Sequence, residues 1–154
     1  VNYVKLNHSR TSKWERRGAL HEEVIDKVRA IKEKQTWLII TEPWCGDSSQ
    51  IVPFIEKLVA ENDLLTIEVQ LRDSDSEIDS YLTNGSKSVP KLVIRNSAGE
   101  DVSIWGPRPA GAQEVVVKQK EMDLTTVEKY MNLLKWYSDD KGSSIQTEIV
   151  EGLK

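Results

Sequence analysis

The chain has 154 residues, enough for a single domain that buries about two-thirds of the surface of its unfolded form. Charged residues make up 30% of the sequence and the net charge is −4 with both signs mixed, which argues against nucleic-acid or membrane partners. No apolar run approaches the ~20 residues of a membrane span, and residues 1–7 contain no signal-peptide core. The single cysteine cannot form an internal disulfide, so we expect a cytoplasmic protein.

The first third of the chain changes from a polar segment to a helix. Residues 1–19 are polar and show no sustained period, and we expect Trp14 to pack onto the body of the domain rather than to sit in a nucleic-acid-binding arm. A helix is predicted from Leu20 to about Lys34, because its apolar residues recur on one face: Val24, Ile25, Val28 and Ile31.

A short apolar run then leads into a second helix. Residues 36–41 are β-branched and aromatic, which is typical of a strand buried on both faces. After a break at Pro43, apolar residues return at helical spacing over about 47–62 (Ile51, Phe54, Ile55, Leu58 and Val59). Pro53 either kinks this helix or begins it at its first position, and its residue type allows both.

The middle of the chain is predicted to form a strand, a helix and a hairpin. Residues 64–71 alternate apolar and polar side chains and predict a strand. A helix is expected to start at Ser76, to face Ile78, Tyr81 and Leu82 inward, and to end at Asn84-Gly85. Strands follow at 91–96 and 101–105, joined by a hairpin-like turn at 96–100.

The last part of the chain is predicted to be helical. Candidate helices run from Ala112 to Met122, from Leu124 to Tyr137 and from Ser143 to Leu153. We interpret this part as an extension that covers a face or an edge of the sheet, or alternatively as a surface that binds a partner.

Cys45 lies where the first strand passes into the following helix. The free N–H groups and the dipole at a helix start favour a thiolate, which is the reactive form of cysteine. Against this, Asp47 adds a nearby negative charge and no Lys or Arg lies within four residues. A lone cysteine is commonly a small buried hydrophobe. This position nevertheless predicts an exposed or nearly exposed thiol, and Glu42 is expected to meet solvent.

Three motifs resemble those of the thioredoxin superfamily. Trp44-Cys45-Gly46-Asp47-Ser48 resembles Trp-Cys-x-x-Cys with Ser48 in place of the second cysteine, and Pro53 matches the proline of the active-site helix. Ser88-Val89-Pro90 resembles the cis-proline segment that faces the cysteine. Glu42 to Asp47 and Trp105 to Ala110 are similar to a bacterial branch of small thioredoxin-like proteins. The resemblance implies an α/β, thioredoxin-like fold with a central mixed sheet of about four strands flanked by helices.

The resemblance also implies the extent of the domain. The matching motifs cover a core of about 20–110, to which a helical C-terminal extension of about 111–154 is added within one domain, 1–154.

The resemblance assigns roles to five residues of a monothiol site. Cys45 would be the nucleophile, and Trp44, Val89 and Pro90 would contact an extended substrate peptide. Ser48 cannot resolve a mixed disulfide, so it either donates a hydrogen bond to the Cys45 thiolate or only caps the helix. By residue frequency alone Pro90 would be trans, and the resemblance implies cis. Thioredoxins carry a buried carboxylate where this chain has Ile39, which argues against efficient reductase chemistry.

The function that these residues favour is thiol–disulfide exchange, or mixed-disulfide formation, through Cys45. The alternatives are a non-catalytic protein-interaction module and a glutathione-linked monothiol enzyme. A Cys45 pKa at or above that of a free thiol, about 8.5, would favour the interaction module. We expect no metal and no cofactor, with glutathione or another external thiol as co-substrate and a protein or small-molecule thiol or disulfide as partner.

Overall fold

A four-stranded mixed sheet forms the centre of the molecule, which a computed structural model describes for residues 2–153. The strand order is β2-β1-β3-β4, with β1 and β2 parallel and the other neighbours antiparallel. The bounds are Gln35–Thr41 (β1), Leu65–Leu71 (β2), Lys91–Arg95 (β3) and Asp101–Trp105 (β4). All four strands lie where the sequence predicted them, and the α/β class with a mixed sheet is confirmed.

Within residues 2–153, six helices are arranged along the chain around this sheet. They are α1 (Tyr3–Arg17), α2 (Glu22–Arg29), α3 (Gly46–Ala60), α4 (Ala110–Gln119), α5 (Thr126–Asp140) and α6 (Ser143–Glu151). Five of them correspond to predicted helices, with ends shifted by a few residues. Pro53 lies inside α3 and not at its first position, which decides between the two interpretations of that proline. Val1 and Lys154, the ends of the predicted single domain, are outside the described residues.

The central strand β1 divides the core into two clusters. Trp37 and Ile39 point to one face and pack with α3, in the cluster that also contains Phe54. Leu38 and Ile40 point to the other face, because side chains alternate along a strand. All four side chains are completely buried. The second cluster is smaller and also contains Cys45, Ile78, Val89 and Val93.

The N-terminal segment is helical, and the expectation of no regular structure there is wrong. Helix α1 begins at the N-cap residue Asn2, whose side chain accepts the Lys5 N–H at 3.1 Å. Trp14 is buried, with its ring 5.4 Å from that of Phe54 and its indole N–H donated to Gln50 Oε1. The sequence pattern missed α1 because only Asn7 and Trp14 on this helix are buried, which makes no apolar stripe.

The prediction of a helix that starts at Ser76 is also wrong. Only a three-residue 3₁₀ turn forms, at Ile78–Ser80, and Leu82 is exposed. The Ser76 hydroxyl donates to the Arg72 carbonyl at 2.9 Å and accepts the Ile78 N–H only at 3.5 Å, a long contact for a helix cap. Asn84 and Gly85, both with positive φ, form a tight turn between Thr83 and Ser86 and do not end a helix.

Candidate thiol site

Cys45 is the N-cap residue of α3 and ends a tight turn that starts at the end of β1. Its N–H donates to the Glu42 carbonyl at 3.1 Å across Pro43 and Trp44, and its own carbonyl accepts the Ser49 N–H at 3.3 Å. Pro43 suits such a turn because its φ is fixed and no N–H is needed there. The predicted position at the junction of strand and helix is therefore the position found.

The Cys45 thiol points inward. The residue is 8% exposed, and its Sγ–H donates to the Val89 carbonyl at 3.4 Å. The Val89–Pro90 peptide bond is cis, and both residues are buried. The prediction of an exposed or nearly exposed thiol is thus wrong, because the turn directs the side chain onto the small apolar cluster beneath Val89.

Burial raises the pKa of the Cys45 thiol, although hydrogen bonds from the Ser48 side chain and backbone act to lower it and the charge of Asp47 adds a smaller rise. The thiol is therefore protonated at neutral pH. The Ser48 hydroxyl, itself buried, accepts a hydrogen bond from Thr41 Oγ1 at 2.6 Å. Ser48 therefore lies beside the sulfur. It does not cap α3, because the N-cap residue of that helix is Cys45.

Asp47 does not face Cys45 as an isolated charge, because Arg108 pairs with it. The guanidinium donates to both carboxylate oxygens, from Nη2 at 2.9 Å and from Nε at 3.3 Å. The Tyr137 hydroxyl donates to the same carboxylate. Burial of Arg108 opposes its charge, yet the hydrogen bonds and the charge of Asp47 raise its pKa. Burial and the neighbouring Asp47 also raise the pKa of Tyr137.

Local sequence reasoning missed this cluster because Arg108 is 61 residues away from Asp47 along the chain. The available signal was the proline-rich segment Trp105-Gly106-Pro107-Arg108-Pro109 at the end of the last predicted strand. In the structure this loop contains a second cis peptide bond, Gly106–Pro107.

Trp44 lies on the surface beside the buried thiol. It is 44% exposed, and the Arg72 guanidinium stacks 4.7 Å from its ring centroid. Arg72 also pairs with Asp73 at 2.9 Å. Glu42 is buried rather than exposed as expected, because its Oε1 accepts the Asp73 N–H at 2.8 Å.

A cleft of about 320 Å³ opens on the α1 side of Cys45. Val4, His8 and Thr11 of α1 form one wall, and Asn7 of the same helix fixes that wall, since its Nδ2 donates to the Pro43 carbonyl at 3.2 Å. The opposite side is formed by the ends of β1 and β2 and the first turns of α3: Thr41, Ser48, Ser49, Val52 and Leu71. Glu42, Pro43 and Cys45 complete the lining.

A mixed sheet of this order with a cysteine at the start of the helix after its central strand defines a thioredoxin-like domain. A family model described as Thioredoxin matches residues 1–134, so the chain belongs to the thioredoxin superfamily. No curated protein matches the chain in sequence.

Two solved structures share the fold at low sequence identity, and a third is less similar. A protein of unknown function from Pseudomonas aeruginosa superposes with a TM-score of 0.70 at 10% identity, over 99% of this chain and 85% of the other. An HIV epitope scaffold superposes with a TM-score of 0.68 at 11% identity, over 98% of this chain and 88% of the scaffold. The N-terminal domain of the alkylhydroperoxide reductase AhpF from Enterococcus faecalis has a TM-score of 0.45 at 17% identity, over 69% of this chain and 54% of that one. At these identities the likeness to the first two structures concerns the fold alone. Within residues 2–153, no helix has the length and apolar character to cross a membrane.

Proposed function

We propose that the protein forms and releases mixed disulfides at Cys45, as a monothiol member of its superfamily. The observation that supports this most directly is the contact between the Cys45 thiol and the carbonyl before the cis-proline, 3.4 Å apart, at a residue that also lines an open cleft. A disulfide that reaches the sulfur would meet it at the positive end of α3.

The proposed reaction is a pair of thiol–disulfide exchanges. The Cys45 thiolate attacks one sulfur of a disulfide RSSR, the S–S bond breaks, and RS⁻ leaves as the Cys45–S–SR bond forms. An external thiolate R′S⁻ then attacks the outer sulfur, releasing RSSR′ and the Cys45 thiolate. Ser48 would donate a hydrogen bond to that thiolate. The chain has one cysteine, so the second step requires an external thiol such as glutathione, in the reducing cytoplasm that we expect for it.

Burial gives this reaction a particular pH dependence. Because burial raises the pKa of Cys45, only a small fraction of the protein carries a thiolate at neutral pH. Exchange in the folded protein would therefore be slow near neutrality and would accelerate with rising pH. Ionisation would also end the hydrogen bond to the Val89 carbonyl, since a thiolate has no proton to donate.

Intact mass spectrometry tests the proposal. The folded protein is incubated with an excess of bis(2-hydroxyethyl) disulfide, cystamine or oxidised glutathione at mildly alkaline pH, and a reduced thiol is then added. We expect a mass gain of one mixed-disulfide group, its loss on reduction, and no adduct on Cys45→Ser. The proposal is wrong if the folded chain stays unmodified while the same chain in denaturant reacts fully.

The second candidate is a non-catalytic interaction module. The small exposed fraction of Cys45 and the rise of its pKa favour this alternative. In that case Trp44 and its neighbours would bind a protein partner without covalent chemistry. The unreactive outcome of the experiment above would support it. Turnover with glutathione but with no other thiol would instead favour a glutathione-linked enzyme.

A further inference from the structure

We infer that Arg108 is a positioning residue for thiol–disulfide exchange at Cys45: its ion pair with Asp47 fixes that carboxylate and offsets the negative charge that opposes a thiolate. This inference rests on the proposed exchange function. It brings into that reaction a residue from the loop after β4, and it predicts that the charges at positions 47 and 108 act on the sulfur in opposite directions.

Asp47 acts on the Cys45 sulfur through two of its groups. It is the acidic residue in the first turn of α3, two positions after the N-cap residue Cys45. Burial is the largest cause that raises the pKa of the thiol; hydrogen bonds from Ser48 and from the Asp47 N–H lower it, and the Asp47 carboxylate raises it further. The helix start therefore favours a thiolate through its backbone and opposes it through one side chain.

Arg108 balances that side chain at short range. Its Nη2 and Nε donate to the two Asp47 carboxylate oxygens at 2.9 and 3.3 Å, and its Nη1 donates to Gln113 Oε1 at 2.9 Å. Both side chains of the ion pair are largely buried, so water and salt screen it weakly. Burial lowers the pKa of Arg108, Asp47 raises it, and negative charge on Cys45 raises it further, which places this cation within electrostatic reach of the sulfur.

The loop that carries Arg108 is held against the cis-proline segment. Gly106 has a φ of +114°, and its position leaves no room for a Cβ beside the Pro90 carbonyl. Pro90 follows Val89, whose carbonyl accepts the Cys45 thiol at 3.4 Å. The loop therefore extends from the segment that faces the thiol to the first turn of α3, and both ends of this connection set the position of Arg108.

Other ionisable side chains lie on the elements around Cys45, and substitutions at positions 47 and 108 leave them in place. They are Glu42 of its own turn, His8 and Arg10 of α1, Tyr81, Lys91 of β3 and Tyr130 of α5. Arg72 is a second cation near the sulfur, but it pairs with Asp73 at 2.9 Å. Among residues 2–153, the side chains that donate to the Asp47 carboxylate are those of Arg108 and Tyr137. Burial raises the pKa of Tyr137, so its hydroxyl is neutral and Arg108 is the cation that balances Asp47.

The pKa of the Cys45 thiol in variants of the pair tests the inference. It is measured from the rate of alkylation by iodoacetamide, which is uncharged, and from the ultraviolet absorbance of the thiolate, with the matching Cys45→Ser chain subtracted. We expect Arg108→Met to raise this pKa by about 0.5–1 pH unit, because the Asp47 carboxylate is then unpaired. Asp47→Asn keeps the backbone N–H and removes the carboxylate, so it should lower the pKa by a similar amount.

Three further variants separate charge from packing. Arg108→Lys keeps a cation beside Asp47 and should hold the pKa of Cys45 within about 0.3 pH unit of that of the unaltered protein. The double variant Asp47→Asn/Arg108→Met carries neither charge and should also return close to that value. Glu61→Gln removes a carboxylate at the C-cap of the same helix, about 22 Å from Cys45 along its 15 residues, and should have no effect.

Adduct formation with bis(2-hydroxyethyl) disulfide connects the pKa of Cys45 to exchange. This reagent is uncharged, so its rate at a pH below the pKa depends on the fraction of thiolate and on the nucleophilicity of the sulfur. Arg108→Met should slow the reaction about two- to threefold and Asp47→Asn should accelerate it as much, since an opposite change in nucleophilicity offsets part of each change in thiolate.

The outcomes separate this inference from the function on which it rests. A pKa of Cys45 that moves in the same direction in Arg108→Met and Asp47→Asn, or in neither, would overturn the role of Arg108 and leave exchange at Cys45 intact. A rise in Arg108→Lys as large as in Arg108→Met would also overturn it, because the retained cation would then have no effect. The absence of adducts from every chain, including the unaltered one, would contradict the exchange function itself. Circular dichroism and the urea midpoint of each variant verify that it is folded.

Discussion

Replacing Arg108 with methionine should lower the free energy of unfolding by about 2–3 kcal/mol. The substitution keeps much of the aliphatic volume but removes both hydrogen bonds to Asp47. Loss of one partner costs about 3–5 kcal/mol for a fully buried pair and at most about 1 kcal/mol for an exposed one. The side chains of Arg108 and Asp47 are 20% and 11% exposed, which puts this pair closer to the buried case.

Urea unfolding followed by tryptophan fluorescence measures this loss, and a double-mutant cycle assigns it to the pair. In an Asp47→Asn background, Arg108→Met should cost about 1 kcal/mol or less, because no unpaired carboxylate remains. Arg29→Met provides the control: Arg29 pairs with Glu61 at 2.7 Å but is 63% exposed, so its loss should stay within about 1 kcal/mol. A loss below about 1 kcal/mol for Arg108→Met, or a cycle without coupling, would refute the reasoning.

Two further predictions concern Cys45 and the start of α6. Burial raises the pKa of Cys45 in the folded state. The resulting stabilisation is complete below the pKa of the unfolded chain, about 8.5, and is lost as the pH rises through the pKa of the folded state. The difference in free energy of unfolding between the protein and Cys45→Ser should therefore decrease over that pH range, and a constant difference would contradict the prediction. Gly142→Ala should cost about 2–5 kcal/mol in urea unfolding, because Gly142 has a φ of +75° and an added Cβ would collide with the Phe54 ring. Gly99→Ala, at a φ of +80° with open space around it, should cost only about 1–2 kcal/mol, and equal losses would rule out the collision.

The strands of the sheet could be predicted because each is encoded by a pattern of neighbouring side chains. Residues 37–40 are apolar without interruption between two threonines, and residues 64–71 alternate, so both strands follow from the local pattern of side chains. Helix α1 could not be found in this way. Its attachment includes polar contacts such as the Trp14 indole N–H donated to Gln50 and the Asn7 amide donated to the Pro43 carbonyl. Such polar anchors leave no periodic signal in the sequence.

The candidate site was predictable in its position and not in its environment. The turn with Pro43 before a helix predicted where Cys45 lies, and the resemblance to thioredoxins predicted that Pro90 lies next to it. The burial of the thiol depends on how the 72–90 segment packs over β1, which no local pattern encodes. The pairing of Asp47 with Arg108 was invisible for the same reason, since it joins the first turn of α3 to the loop after the last strand.

The N-terminal part of the chain contacts the C-terminal helices at two places. Arg10 of α1 donates a hydrogen bond to the Tyr130 hydroxyl of α5 and stacks on its ring, and the His21 ring lies 3.0 Å from the Ser143 hydroxyl at the start of α6. Helix α5 thus supports α1, and α6 contacts the N-cap residue of α2. Proteolytic nicking between α4 and α5 should therefore increase amide hydrogen exchange in α1, more than a hundred residues away in sequence.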